Sequence, residues 1–317
     1  MSEPSVATLG GDTSLQVIRR YLLATRPKFF TASVLPMLIG SAWGWTQSSG
    51  FDAIAFVLGL AATVFVHAAA NVLNDVFDSL NGNDEFNKER IFPYTGGSRF
   101  IQNGVLDIQQ MARWGWTLLI LGVLCGLALM TLKGFDVLWF GLAGIGLGIL
   151  YSAPPIHLSA RGLGELAVGV AFGALPMTGA SWLQTGTLDS NIFILSVPVA
   201  MWVTAILLIN EIPDATADAS VNRKTLVVRF GPERSRFIYL SLHLVAFGSI
   251  AFAASLALIP MWGVTLPAIL FIGSLKASRG ILATAQELKQ GIELTLAFHM
   301  LGCLWLLALV AGSGMWW

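Results

Sequence analysis

The sequence predicts an all-α fold, a polytopic membrane protein of nine transmembrane helices packed as one bundle. Three observations carry this prediction. Of the 317 residues, 55% are hydrophobic and only 11% charged, with a mean hydropathy of +0.72; a soluble chain carries about 25% charged residues. The apolar residues gather in nine runs, each near the roughly 20 residues that cross a hydrocarbon core about 30 Å thick. The positive charges, finally, fall almost entirely on one side of those runs.

Residues 1–15 are polar, contain Gly10 and Gly11, and read as a flexible N-terminal tail; residues 16–317 read as a single transmembrane domain. No apolar stretch directly follows a basic start, so a cleavable signal is not predicted. The first run, 29–46, follows Arg19, Arg20, Arg26 and Lys28. The second, 53–79, ends in a series of Asn and Asp residues. A long polar connection, about 80–108, then carries Lys88, Arg90 and Arg99, and Arg113 stands just inside the third run, 110–132. The fourth, 136–152, contains the glycine-rich stretch 141–148, which permits close helix contact. Arg161 lies between it and the fifth, 164–184. The sixth, 191–212, opens the other long connection, about 213–235, which holds Arg223, Lys224, Arg229 and Arg234, with Arg236 at the start of the seventh run, 236–257. Lys276, Arg279 and Lys289 separate the eighth, 260–276, from the ninth, 292–312. Of 18 Lys and Arg residues, Lys133 alone falls on the opposite side. The excess of positive charge on cytoplasmic loops therefore predicts a cytoplasmic N-terminus and an outward C-terminus.

The formal net charge is zero and no basic block interrupts the chain, so a lipid bilayer is an expected partner and nucleic acid is not. Cys125 and Cys303 lie singly in apolar runs, which supports neither a disulfide framework nor a zinc site. His67, His243 and His299 read as packing residues, and the 11 Trp as packing and interfacial ones.

The polar chemistry sits at two helix ends. The second run closes with Asn71-Val-Leu-Asn74-Asp75-Val-Phe-Asp78, and Asp84 follows. At about 100° per residue, His67, Asn71, Asn74, Asp75 and Asp78 share an arc of roughly 100°. The sixth closes with Asn210-Glu211-Ile-Pro-Asp214-Ala-Thr-Ala-Asp218. There Asn210, Asp214 and Asp218 share roughly 80°, provided the helix continues past Pro213. Both runs travel outward to inward, so both acid clusters emerge at the cytoplasmic face. Brought together, these carboxylates would repel by about 4 kcal/mol per pair at 4 Å and an effective dielectric near 20. Clustered carboxylate and amide oxygens without a His/Cys set suit a hard ion such as Mg²⁺, which keeps positions open for substrate phosphates. The connections add Lys88, Arg90 and Thr95-Gly96-Gly97-Ser98-Arg99 on one side, and Asn222-Arg223-Lys224-Thr225 on the other. Such cations neutralise phosphate oxygens, and small residues let backbone N–H groups approach them.

Asn74-Asp75-x-x-Asp78-x5-Asp84 and Asp214-x3-Asp218 resemble the two aspartate-rich motifs of the UbiA superfamily of intramembrane aromatic prenyltransferases, a nine-helix family. Arg26-Pro27-Lys28 is similar to its opening motif. Asp78-Ser-Leu-Asn-Gly82-Asn-Asp84, Thr95-Gly-Gly-Ser-Arg99, Tyr151-Ser-Ala-Pro-Pro155, Arg161-Gly-Leu-Gly-Glu165 and Arg223-Lys-Thr-Leu-Val-Val-Arg-Phe-Gly231 look like the menaquinone branch, the 1,4-dihydroxy-2-naphthoate prenyltransferases. The resemblance implies Mg²⁺-dependent transfer from a polyprenyl diphosphate to an aromatic acid acceptor at a bacterial-type cytoplasmic (inner) membrane. The first acceptor it implies is 1,4-dihydroxy-2-naphthoate, prenylated with loss of CO₂; 4-hydroxybenzoate and 1,4-dihydroxy-6-naphthoate are the alternatives. It further implies that Asp75, Asp78, Asp214 and Asp218, with Asn71 and Asn74, hold the metal against the diphosphate. Arg26, Lys88, Arg90, Arg99, Arg223 and Lys224 are implied to bind phosphate or the acceptor's carboxylate. Tyr151 would steady an allylic cation, and Asp84 would orient or deprotonate a ring hydroxyl. The rival reading is a membrane transporter. Transporter sites lie near mid-bilayer on broken helices, often in inverted repeats, whereas here the acids sit at the ends of helices that run the same way.

Overall fold

The computed structural model describes residues 3–312; the expected outward C-terminus and the first two residues of the expected tail lie outside the described residues. Nine helices build the bundle: α1 (Thr31–Thr46), α2 (Ala53–Leu80), α3 (Ile108–Lys133), α4 (Val137–Ser152), α5 (Gly164–Thr185), α6 (Ser190–Ser220), α7 (Leu226–Ser255), α8 (Met261–Leu282) and α9 (Ala285–Ala311). Among the described residues there is no strand.

The nine helices fall at the nine runs expected from sequence but differ in length. Seven helices, α2, α3 and α5 to α9, are long and apolar enough to cross a membrane. The other two, α1 and α4, have 16 residues each, which is about 24 Å at 1.5 Å per residue. The apolar run before α1 is partly spent on the 3₁₀ turn Pro27–Phe29, and α4 stops at Ser152 ahead of Pro154 and Pro155, where proline cannot continue a helix. The protein is an integral membrane protein, and the exposed large side chains of its bundle, among them Ile120, Trp139, Phe193 and Ile269, face outward where lipid replaces water.

Helix ends follow local chemistry. Asp52, Asp107, Asp189, Thr225 and Thr284 each accept a backbone N–H in the first turn of the helix they precede, satisfying donors that have no partner inside the helix. At the end remote from the acid clusters, Lys133 Nζ lies 2.8 Å from Asp52 Oδ2 and Trp43 Nε1 donates to Asp189 Oδ2 at 2.6 Å. Helix α6 is the central column: Leu195, Val199, Trp202, Leu208 and Ile209 are fully enclosed between α1, α5, α7 and α9. It runs unbroken through Pro198 and Pro213, so the condition set on its second acid cluster is met. Helix α7 bends at Gly231, whose φ of 75° is open to glycine at no steric cost.

Part of the N-terminal segment packs against the bundle. The short helix Val6–Leu9 buries Leu9 in the cluster that also holds Ala24 and Phe100, and Glu3 reaches Arg90. The helix Ser14–Ala24 then exposes Leu15, Ile18 and Leu22, an apolar stripe of the kind that rests in a membrane interface.

Candidate active site

Helices α2 and α6 deliver the two acid clusters to one place. Asp75 and Asp78 at the end of α2, and Asp218 at the end of α6, are buried. Arg223 joins the clusters: its Nη1 lies 3.4 Å from Asp78 Oδ2 and 3.5 Å from Asp218 Oδ1. The turn that carries Arg223 is held by its own backbone N–H, which donates to the Asp218 carbonyl at 2.8 Å. Glu165 of α5 accepts the Leu226 N–H at 2.9 Å and fixes the same connection from the far side. Burial works against the Arg223 charge, but Asp78 and Asp218 outweigh it and hold the guanidinium's pKa above its ordinary value.

A strap, residues 83–99, crosses the gap between the two helices and bonds to both. Asn83 Nδ2 donates to Asp218 Oδ1 at 3.1 Å and Asn87 Nδ2 to Asp214 Oδ1 at 2.7 Å. The Gly96 N–H donates to Asp214 Oδ2 at 3.3 Å, and the Ser98 N–H to Asp75 Oδ2 at 3.2 Å. Between them Gly97, at φ +76°, sits where three charged groups converge. A Cβ there would lie 3.1 Å from Asp84 Oδ2 and 3.2 Å from both Asp75 Oδ1 and Arg26 Nη2. Arg26, itself in the left-handed region at φ 56°, forms an ion pair with Asp75. Asp84 lies in the first turn of the short helix Asn83–Phe86 and accepts from Gln102 Nε2 at 3.1 Å, while its carbonyl takes Arg99 Nη1 at 2.6 Å. Burial, reinforced by Asp78, pushes the Asp84 carboxyl up to about 7.

Below this head lies a cavity of about 540 Å³. Arg26, Asn71, Asn74, Tyr151 and Asn210 line its polar end, and residues such as Met130, Phe140 and Leu183 its apolar depth. Asn74 Nδ2 donates to Asp78 Oδ2 at 3.1 Å and Ser152 Oγ at 2.9 Å; Asn71 Nδ2 donates to the Thr25 carbonyl at 3.0 Å.

The residues singled out by sequence thus divide. Asp75, Asp78, Asp84, Asp214, Asp218, Asn74, Arg26, Arg99 and Arg223 meet in the head, and Asn71 and Tyr151 line the cavity beneath. Arg90 turns away, 2.8 Å from Glu3, and Lys88 and Lys224 are exposed. Sequence reasoning passed over Asn83, Asn87 and Gln102. Their signal is faint: amides in a polar loop stand out only once the carboxylates they serve are seen across the gap.

Paired acidic helix ends roofed by a glycine strap, above an apolar chamber in an all-helical membrane bundle, define a class of membrane-embedded transferase. The chain belongs to the UbiA prenyltransferase family, whose sequence profile matches residues 33–282. It is accordingly an enzyme, an aromatic prenyltransferase. It is 32% identical over 232 residues to UbiA prenyltransferase domain-containing protein 1 of Dictyostelium discoideum, covering 71% of this chain and 68% of that protein. It is 30% identical over 246 residues to the 1,4-dihydroxy-2-naphthoate octaprenyltransferase of Haemophilus influenzae, covering 74% and 76%. In fold it is similar to a UbiA homolog from Archaeoglobus fulgidus bound to DMAPP and Mg²⁺, with a TM-score of 0.60 at 18% identity, covering 90% of this chain and 99% of that one.

Proposed function

We propose that the protein transfers a polyprenyl group from a polyprenyl diphosphate to 1,4-dihydroxy-2-naphthoate, using Mg²⁺, with its N-terminus and acidic head on the cytoplasmic side of the membrane. The observation that carries this reading is the convergence of both acid clusters, through Arg223 and the strap, at the polar mouth of a 540 Å³ apolar chamber. The choice of acceptor draws on the branch-like motifs and on the naphthoate octaprenyltransferase relative. The orientation draws on the one-sided Lys and Arg.

The residues of the head fit a hard divalent ion. Asp78 Oδ1, Asn83 Oδ1 and Asn87 Oδ1 are buried acceptors without a hydrogen-bond partner, and arginines stand against the carboxylates where cationic charge is needed. Among the described residues no three His, Cys, Asp or Glu side chains group around one point. Magnesium at phosphate sites takes one or two carboxylates and completes its shell with substrate oxygens and water, so Asp75 with Asp78 and Asp214 with Asp218 would hold it as pairs. When bound, it supplies positive charge that eases departure of diphosphate. Arg26 and Arg223 add fixed charge beside the same oxygens. The chamber takes the isoprenoid tail and excludes water, which protects an allylic cation from hydrolysis, and the Tyr151 ring stands at its mouth to face that cation. Asp84 holds or accepts the ring-hydroxyl proton. The ring carbon bonds to the allylic carbon as the C–O bond to diphosphate breaks, and the carboxyl group leaves that ring carbon as CO₂.

Membranes containing the protein, incubated with polyprenyl diphosphate, Mg²⁺ and each aromatic acid in turn, test this by mass spectrometry of the products. The expected product is a prenylated dihydroxynaphthalene without its carboxyl group. An adduct of 4-hydroxybenzoate alone would overturn the acceptor, and no adduct of any acid would overturn prenyl transfer to an aromatic ring.

A further inference from the structure

His67 lines the chamber and has no part in the reading above. His67 lies on α2 one turn deeper than Asn71 and two turns, roughly 12 Å of helix rise, from Asp75. It lines the cavity, and it is held on three sides. Ser33 Oγ of α1 lies 2.6 Å from its Nδ1, and Phe30 and Phe172 stand edge-on to its ring at centroid distances of 5.4 Å and 4.6 Å. Phe172 belongs to Val170–Ala174, a π-helical turn within α5, and π turns recur where a helix serves a functional site. Gly173 in that turn lets α5 close on α6, since a Cβ there would fall 2.5 Å from Ala200.

An imidazole has two ring nitrogens, and in its neutral form one donates and the other accepts. Ser33 occupies Nδ1; no bond from a described residue reaches Nε2. A histidine that merely packs would be satisfied on both sides or set away from open space. His243 and His299, by contrast, are not among the residues that line this chamber. The other charged or titratable residues lining the chamber are Arg26 and Tyr151, both at its polar end. Arg26, Phe29, His67 and Phe172 line the same cavity, so an aromatic acid held by its carboxylate at Arg26 keeps its ring in the chamber that His67 lines.

We propose that His67, oriented by Ser33, is the group that recognises a ring hydroxyl of the aromatic acceptor and so sets acceptor specificity. This assignment rests on the prenyl-transfer reading above. It assigns a binding role to a residue that sequence alone reads as packing.

The test compares wild type, His67→Leu, His67→Gln and Ser33→Ala, purified in detergent with Mg²⁺ and a thiolodiphosphate analogue of the prenyl donor. Affinities for 1,4-dihydroxy-2-naphthoate and for 2-naphthoate, which lacks ring hydroxyls, are measured by tryptophan fluorescence. Loss of a partner for a buried polar group predicts that His67→Leu binds the dihydroxy acid about 10-fold or more weakly, with 2-naphthoate and the donor analogue bound as by wild type. His67→Gln, which keeps a hydrogen-bonding group, restores most of the loss, and Ser33→Ala shows a smaller loss of the same kind. Equal binding of the dihydroxy acid by wild type and His67→Leu overturns the assignment, as does an equal loss for both acids. Should His67→Leu not fold, Ser33→Ala, which leaves the imidazole in place, decides on the same criterion. Wild type that binds neither acid speaks against the prenyl-transfer reading itself, an outcome separate from the other two.

Discussion

Arg223→Met removes the charge that joins the two acid clusters while keeping much of the side chain's volume. The guanidinium lies 3.4 Å from Asp78 and 3.5 Å from Asp218. At an effective dielectric near 20, each contact corresponds to about 5 kcal/mol of attraction. Desolvation of all three groups offsets most of that sum, but removing one partner leaves buried carboxylates facing each other, and such losses measure about 3–5 kcal/mol. For a chain of this size that is a fall in Tm of roughly 5–8 °C. The assay is intrinsic tryptophan fluorescence of the purified protein heated in EDTA, then again with Mg²⁺ and pyrophosphate. The expected result is a large gap between variant and wild type in EDTA and a narrower one with Mg²⁺, because the divalent ion supplies the missing charge. A variant that melts within 1 °C of wild type in EDTA would refute the role of Arg223 as internal counter-ion.

Four further outcomes follow from the head. Asp75→Ala and Asp214→Ala are expected to abolish product formation while the proteins still insert and elute as wild type from gel filtration; normal turnover in either would remove it from the metal site. Gly97→Ala places a methyl group 3.1–3.2 Å from three charged atoms at φ +76°. Since the left-handed region alone costs about 1–2 kcal/mol for alanine, turnover is expected to fall at least about 10-fold, read from initial rates. EDTA is expected to stop turnover and added Mg²⁺ to restore it; an undiminished rate in EDTA would sink the metal dependence. Burial raises the Asp84 pKa from 3.8 to about 7, so its protonated form favours folding fully below pH 4 and that contribution is lost as pH rises to about 7. Asp84→Asn should flatten the decline of Tm with pH across this window in EDTA, and a curve parallel to wild type would contradict the assignment.

Much of the bundle was legible because hydrocarbon imposes a long, nearly uninterrupted apolar period. The runs at 53–79 and 110–132 differ from α2 and α3 by at most two residues at either end. Where polarity and helicity part company, composition misleads. The sixth run seemed to end before Pro213, yet α6 continues to Ser220, since its last two turns are polar and sit in the head rather than in lipid. The first run counted Phe29 and Phe30 as span, although the chain is turning there. The acid motifs were visible as spacings on helices, because i, i+3 and i+4 residues share a face. The strap's bonds from Asn83, Asn87 and Gly96 cross more than a hundred residues of sequence to Asp214 and Asp218, and no local pattern announces them. Nor does any local pattern announce the docking of Glu3 on Arg90. It takes up a cation that, judged by position alone, belonged with the phosphate binders.

The two 16-residue helices, α1 and α4, both form chamber wall. At about 24 Å they fall short of a film about 30 Å thick, and a bilayer answers such a shortfall by thinning. Trp139 of α4 is exposed, while Leu142 lines the chamber, so this flank is where a bilayer would thin. A bilayer thinned there brings its headgroup layer closer to the wall of the chamber.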